Sequence, residues 1–222
     1  MTDNKNNWPG WSLNDNPYGE GFDTQARQRM IDGSLELMLY VGKYKDKLGR
    51  NILEVGPFFN PLITSKKFPD KNIFYWENDR YVIDNLKKEF PETFPVYCDL
   101  NKIEGDSLSK LKNETLKAFN KTNQKKIKFD SVIISHVFNY IDYVLFMTIL
   151  KDLMSKDALL FINNVVDYGL EDLYSKQRPR SIRETIESVE KVGFEVLDKK
   201  EIETTDKKFQ KNNRLILVAK QK

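Results

Sequence analysis

The stretch from Asn51 to Pro61 reads NILEVGPFFNP, and it decides the fold because a short apolar segment runs directly into a tight turn. Asn51 to Val55 has the length and character of a buried strand, and the Gly-Pro pair that follows ends it. Four similar apolar runs come later in the chain: 72–76, 96–98, 129–135 and 158–165. Amphipathic segments separate most of these runs. Strands that alternate with helices at this spacing predict a parallel sheet covered by helices on both faces.

The C-terminal end of this pattern completes the predicted fold. Phe194 to Leu197 and Arg214 to Ala219 are two further strand-like segments, and the residues between them are too few for a crossover helix. They must therefore form an antiparallel hairpin. The sequence predicts an α/β protein: a seven-stranded, mostly parallel sheet with helices on both faces and a C-terminal antiparallel hairpin strand.

The helix before the first strand is predicted from its apolar periodicity. Asp23 is a suitable N-cap, and the apolar residues that follow at helical spacing predict one buried face: Ile31, Leu35, Met38 and Leu39. We assign residues 23–222 to one domain and residues 1–22 to an N-terminal arm. The arm is rich in Asn, Gly and Trp, and its aromatic residues either form a lid over the site or pack against the domain.

Composition excludes several classes of protein. The 222 residues contain no apolar run of membrane-spanning length and no apolar N-terminal segment typical of a secretory signal. The single cysteine, Cys98, excludes a disulfide framework and a cysteine-based zinc site, and predicts a cytoplasmic protein. A net charge of +3 is too small to indicate nucleic-acid binding by itself.

Polar residues follow the carboxyl end of each central strand, where open α/β sheets bind their ligands. Each of the first three strands is accompanied by an acid: Glu54, Glu77 with Asp79 as the fallback, and Asp99. Carboxylates at this edge accept hydrogen bonds from ribose hydroxyls, amino groups or an ammonium, and they repel phosphate. Polar or small side chains follow the fourth and fifth strands: Ser135, His136, Asn139, Asn163, Asn164 and Asp167.

This series of motifs resembles the class I S-adenosylmethionine-dependent methyltransferases over about residues 50 to 220. Glu54 and Gly56 match the acid and first glycine of the family's first motif, whereas Phe58 and Asn60 stand where it has its next two glycines. The resemblance implies S-adenosyl-L-methionine as the cofactor, with Glu77 on the ribose. The residues that it places around the cofactor are Glu54, Gly56, Pro57, Phe58, Asn60, Glu77, Asn78, Asp99, Leu100, Ser135 and Val137.

The resemblance also implies roles on the acceptor side. His136, the only histidine, follows the fourth strand, where it either acts as a general base or lines the donor pocket. We assign four residues to the acceptor: Tyr18, Asn139, Asn163 and Asp167. A metal is not expected, because His136 stands where metal-dependent members have an acid. The predicted activity is O- or N-methylation of a small molecule or short peptide by a monomer or homodimer.

Three alternatives stay open. An RNA methyltransferase would use the segment 107–128, which has seven lysines and one acid, but no RNA-binding module or base-amine motif accompanies it. A non-catalytic relative that binds the cofactor is compatible with Phe58 in the glycine loop. A nicotinamide-dependent dehydrogenase fits less well, because the Gly-x-Gly-x-x-Gly loop is missing.

Overall fold

The protein is a seven-stranded sheet flanked by helices in a computed structural model that describes residues 24–58, 60–166, 175–202 and 214–222. The strands are β1 Asn51–Val55, β2 Asn72–Glu77, β3 Phe94–Tyr97, β4 Phe129–Ser135, β5 Met154–Val165, β6 Phe194–Ile202 and β7 Arg214–Gln221. The helices are α1 Thr24–Lys43, α2 Arg80–Glu89, α3 Gly105–Asn120, α4 Tyr143–Leu153 and α5 Ile182–Val192.

The strand order is β3-β2-β1-β4-β5-β7-β6. Strands β1 to β5 pair in parallel, and β7 runs antiparallel to both β5 and β6. The order reverses between β1 and β4, which makes the carboxyl ends of these two strands the place where such sheets bind ligands. The predicted fold class, including the C-terminal hairpin, is confirmed.

Two hydrophobic cores lie on opposite faces of the sheet. Helices α1 and α2 cover one face with residues such as Val41 and Leu86, while α3, α4 and α5 cover the other. The second core is rich in aromatic side chains, and Phe74 stacks on Phe119 with ring centroids 4.3 Å apart. Trp76 is fully buried in this core and donates its indole N–H to Thr115 Oγ1 at 3.2 Å.

The buried face of α1 differs from the predicted one. Leu35 and Leu39 are 62% and 69% exposed, whereas Leu37 and Val41 are fully buried against the sheet. The prediction followed the richest set of apolar residues along the helix. The sheet instead contacts residues four apart, at positions 37 and 41, which lie on one side of the helix. The prediction for Leu35 and Leu39 was wrong.

Asp130 joins elements at the amino ends of the strands, far from the ligand-binding edge. One oxygen of its carboxylate accepts the backbone N–H groups of Arg50 and Asn51, both at 2.9 Å, and the other accepts the Ser155 hydroxyl. A side chain added to Gly49 would collide with Asp130, since a Cβ there would lie 2.2 Å from the Asp130 Cβ. Asp130 therefore stabilises the start of β1.

Among the helices in the described ranges, none combines the length and apolar character needed to cross a membrane.

The two faces of α1 predict opposite results for alanine substitution. Leu37→Ala should lower the free energy of unfolding by about 2–5 kcal/mol, because it removes buried methyl groups and leaves a cavity. Leu39→Ala, the matched control, should change it by less than about 0.5 kcal/mol. Urea titration of both variants measures this difference, and equal losses would contradict the observed orientation of α1.

Candidate functional site

A cavity of about 190 Å³ opens at the carboxyl ends of β1, β2 and β4. Residues from five separate regions line it: α1, the ends of β1 and β2 with the loops that follow them, the segment after β3, and the segment after β4. It brings together all but one of the residues that the sequence assigned to the cofactor: Glu54, Gly56, Pro57, Phe58, Asn60, Glu77, Asn78, Leu100, Ser135 and Val137. Asp99 is the exception, because it is not among the described residues that line the cavity. The strand-end acids therefore converge where the topology predicts a ligand.

The Glu77 carboxylate ends β2 and is only 5% exposed. Its Oε1 accepts the backbone N–H groups of Asn78 and Asp79 at 2.8 and 3.2 Å, and its Oε2 accepts the N–H of Phe58 at 3.1 Å. An ionised carboxylate has about four acceptor positions. Three are used by the backbone, so Glu77 retains one, on Oε2, for a ligand hydroxyl. The resemblance implies a ribose contact for Glu77, and the described contacts leave room for one hydroxyl.

The Glu54 carboxylate is also buried, and it accepts the N–H groups of Leu62 and Ile63 at 2.9 and 3.0 Å. Burial raises its pKa to about 7, and the two N–H bonds oppose that rise. Burial likewise raises the pKa of Glu77 to about 7 against three such bonds. Repulsion between carboxylates adds to both rises: the charge of Glu77 raises the pKa of Glu54, and the charge of Asp79 raises the pKa of Glu77.

The connection from β1 to β2 is held by these two carboxylates. Its described residues, 56–58 and 60–71, form turns and bends and no helix, so the loop has few hydrogen bonds of its own. Gly56 has a φ of 66°, and a Cβ there would lie 2.8 Å from Val137 Cγ2, so glycine permits the β1 and β4 loops to approach. Phe58, at the position of a family glycine, also has a left-handed φ of 52°.

Asp79 and Asp99 serve as caps. Asp79 Oδ1 accepts the N–H groups of Tyr81 and Val82 and so begins α2, although the residue also lines the cavity. Asp99 Oδ1 accepts the N–H of Asn101, and its Oδ2 lies 3.3 Å from the Lys102 ammonium. The assignment of Asp99 to the cofactor stays a prediction, and its neighbours on both sides are the ones that line the cavity.

His136 follows β4 and lines the cavity beside Ser135. Its φ is 60°, a left-handed conformation that is uncommon outside glycine, and its backbone N–H donates to the Asn163 carbonyl at 2.9 Å. The Asn163 side-chain Nδ2 lies 3.1 Å from His136 Nε2 and 3.1 Å from Ser135 Oγ. Asn163, which belongs to β5, therefore contacts His136, the predicted catalytic residue, and is not itself among the described lining residues.

The other acceptor-side predictions have different outcomes. Asn139 is fully buried and donates its Nδ2 to the Val165 carbonyl at 2.6 Å, which ties the turn after β4 to the end of β5. Its role toward the acceptor stays a prediction. Tyr18, Asp167 and the N-terminal arm lie outside the described residues.

Several lining residues were not predicted from the sequence: Ser34, Leu62, Trp76, Cys98, Asn101, Tyr140 and Ile141. Asn101 and Ile141 follow predicted strand ends within a few residues, and this position in the sequence is the signal that could have indicated them. Ser34 carries no such signal, because it reaches the cavity through the packing of α1. Burial strongly raises the pKa of the Cys98 thiol, which keeps this side chain neutral and apolar in the cavity wall.

The described residues include no group of three or more histidine, cysteine, aspartate or glutamate side chains arranged to hold a metal ion. The expectation that the protein uses no metal stays a prediction.

Solved structures share this architecture. The N-methyltransferase NodS from Bradyrhizobium japonicum WM9, in complex with S-adenosyl-L-homocysteine, is 10% identical with a TM-score of 0.60, and the alignment covers 94% of this chain and 93% of NodS. Magnesium protoporphyrin IX methyltransferase (ChlM) from Synechocystis PCC 6803, with the same ligand bound, is 12% identical with a TM-score of 0.59, covering 92% and 91%.

The [4+2]-cyclase SpnF also shares the architecture, at 11% identity and a TM-score of 0.60, with 85% of this chain and 80% of SpnF covered. No protein-family model matches the sequence, and no curated protein matches it. The chain has the fold of the class I S-adenosylmethionine-dependent methyltransferases, as the series of motifs predicted. At these identities the likeness concerns the fold.

The raised pKa of Glu54 predicts a pH dependence of stability. A glutamate in the unfolded chain titrates near 4.5, whereas burial raises the pKa of Glu54 to about 7 in the folded protein. Between these values the folded state binds more protons, so the free energy of unfolding decreases as pH rises through this window. Glu54→Gln removes this titrating group. Between about pH 5 and about pH 8, the free energy of unfolding of Glu54→Gln should therefore decrease by about 2 kcal/mol less than that of the wild type.

Glu190→Gln, an exposed substitution on α5, is the control and should keep the wild-type slope. Urea unfolding at the two pH values measures all three proteins. A Glu54→Gln slope equal to that of the wild type would contradict a protonated, buried Glu54.

Proposed function

We propose that this protein is a cytoplasmic enzyme that transfers a methyl group from S-adenosyl-L-methionine to an oxygen or nitrogen of a small molecule or short peptide. The observation that carries the proposal is the Glu77 carboxylate, buried at the carboxyl end of β2 inside the cavity, with one acceptor position left for a hydroxyl. The fold supports it, since NodS and ChlM are methyltransferases of the same architecture solved with S-adenosyl-L-homocysteine.

The described residues fit the cofactor by their chemistry. Glu77 would accept a ribose hydroxyl, and Leu100 and Val137 give apolar surface suited to the adenine ring. Gly56, Pro57, Phe58 and Asn60, which the resemblance assigns to the cofactor, also line the cavity and would contact the cofactor from the loop after β1. The bound cofactor supplies an electrophilic methyl group on a sulfonium, so the protein has to position the acceptor and exclude water.

The acceptor side rests on the residues after β4. Ser135 and His136 face the cavity, and Asn163 contacts both from β5. A small acceptor is favoured over RNA because the described ranges form one sheet with its helices and include no nucleic-acid module. The lysines of the 107–128 segment are mostly exposed on and after α3, as expected of a solvated helix.

Cofactor binding is the first test. Calorimetry with S-adenosyl-L-homocysteine, together with mass spectrometry of the purified protein for co-bound cofactor, should detect a complex. Glu77→Ala should weaken binding by about 1.5–3 kcal/mol, because a charge-assisted hydrogen bond to the ribose is lost. Asp84→Ala removes one exposed negative charge from α2 and serves as the control, with affinity like the wild type.

If the wild type binds neither form of the cofactor, the proposed function is wrong. If Glu77→Ala binds as well as the wild type, the ribose contact belongs to another residue, and Asp79 is the next to test. A complex without turnover on any acceptor would favour the non-catalytic relative, or a different reaction on this fold, as the cyclase SpnF illustrates.

The N-terminal arm provides a second test. We expect deletion of residues 1–22 to leave the sheet folded and the cofactor bound but to abolish methyl transfer, because the arm's aromatic residues are proposed to cover the acceptor. Circular dichroism, calorimetry and a turnover assay separate the outcomes. Normal turnover would exclude a lid, and loss of folding would place the arm in the core.

A further inference from the structure

The side chain of Asn163 is almost fully buried and uses both of its N–H bonds at the edge of the cavity. Nδ2 lies 3.1 Å from Ser135 Oγ and 3.1 Å from His136 Nε2. An asparagine Nδ2 carries two hydrogens and has no acceptor capacity. In this amide orientation, which leaves the buried Asn163 Oδ1 without a hydrogen-bond partner among the described residues, Nδ2 donates to both neighbours and His136 Nε2 accepts.

This contact decides which nitrogen of the neutral imidazole carries the proton. A neutral imidazole has one N–H donor and one bare acceptor nitrogen. If Nε2 accepts from Asn163, the proton is on Nδ1. A proton delivered to Nε2 would face the Asn163 N–H group and would require that hydrogen bond to break.

The backbone holds the imidazole in place for this contact. His136 has a left-handed φ of 60°, and its N–H donates to the carbonyl of the same Asn163 at 2.9 Å. Strands β4 and β5 are parallel neighbours, and Ser135, the residue before His136, is in register with Asn163. Main-chain and side-chain bonds to one partner thus fix both the position of His136 and the orientation of its ring.

We propose that Asn163 is a positioning residue that holds neutral His136 as the Nδ1–H tautomer and prevents it from acting as a general base through Nε2. Under the proposed function, on which this consequence rests, the acceptor attacks without giving a proton to His136. The acceptor then belongs to the nucleophiles with an available lone pair: an ionised oxygen or a neutral amine.

The transfer step balances without this proton. The acceptor's lone pair forms the new bond to the methyl carbon, the carbon–sulfur bond breaks, and its electron pair remains on sulfur as a neutral thioether. An ionised oxygen gives a neutral product directly. A neutral amine gives an ammonium, which loses its proton to water after the transfer.

The test uses the only imidazole in the chain, so its NMR signals need no assignment. The full-length protein, labelled with ¹⁵N-histidine and carrying no polyhistidine tag, is measured at about pH 8.5, well above the ordinary imidazole pKa of about 6.5. Long-range ¹H–¹⁵N correlations distinguish the tautomers. The proposal expects the Nδ1–H pattern, and a predominant Nε2–H pattern would overturn it.

Two matched variants attribute the tautomer to Asn163. Asn163→Leu removes the donor to Nε2 and should shift the population toward Nε2–H, the form that a free imidazole favours in water. Asn164→Leu changes the adjacent residue, which is equally buried and has no described contact with His136, and should keep the wild-type pattern.

Equal shifts in both variants would overturn the assignment to Asn163, because general packing would then explain them. If Asn163→Leu fails to fold, the wild-type spectrum still decides the tautomer. Failure of the proposed function is a separate result: it would appear as absent cofactor binding in calorimetry and would remove only the conclusion about the acceptor.

Discussion

Two buried carboxylates determine the form of the ligand-binding edge. Glu54 and Glu77 together accept five backbone N–H groups, two from residues 62–63 and three from residues 58, 78 and 79. Three of these bonds, to the N–H groups of residues 58, 62 and 63, fix the connection from β1 to β2, whose described residues contain no helix and whose N–H groups would otherwise need water as a partner. Burying two carboxylates side by side costs free energy, as their raised pKa values show. A stretch with few hydrogen bonds of its own is thereby held in one conformation.

The architecture could be predicted from the sequence because it follows from short-range signals. Apolar runs such as Phe129 to Ser135 have no polar face, which is typical of a central parallel strand, and the short spacing before Arg214 requires a hairpin. The buried face of α1 could not be predicted in the same way. Apolar residues occur around much of that helix, and the sheet that buries Leu37 and exposes Leu39 is formed by residues distant in sequence.

The candidate site was predictable as a set of positions and less so as a set of contacts. The topology places every strand end at one edge, so Glu54, Glu77 and His136 could be expected to meet there. The hydrogen-bond partners of these residues could not be predicted. Main-chain N–H groups carry no sequence signal, so the contact between the Glu77 carboxylate and the Phe58 N–H group was hidden. The contact between Asn163 and His136 depends on the register of β4 and β5, which is set by packing.

Glu77 links the loop to the ligand, and this link has a thermodynamic consequence. The same Oε2 accepts the Phe58 N–H and retains the position available to a hydroxyl, so a ligand that donates to Glu77 favours the ionised carboxylate. Ionised Glu77 is also the better acceptor for the three N–H groups. Ligand binding should therefore strengthen the loop's attachment and lower the pKa of Glu77 from about 7, with a proton released near neutral pH. By reciprocity, the protonated carboxyl binds the ligand less tightly and holds the loop less firmly. Loop order and ligand affinity are thus two consequences of one ionisation.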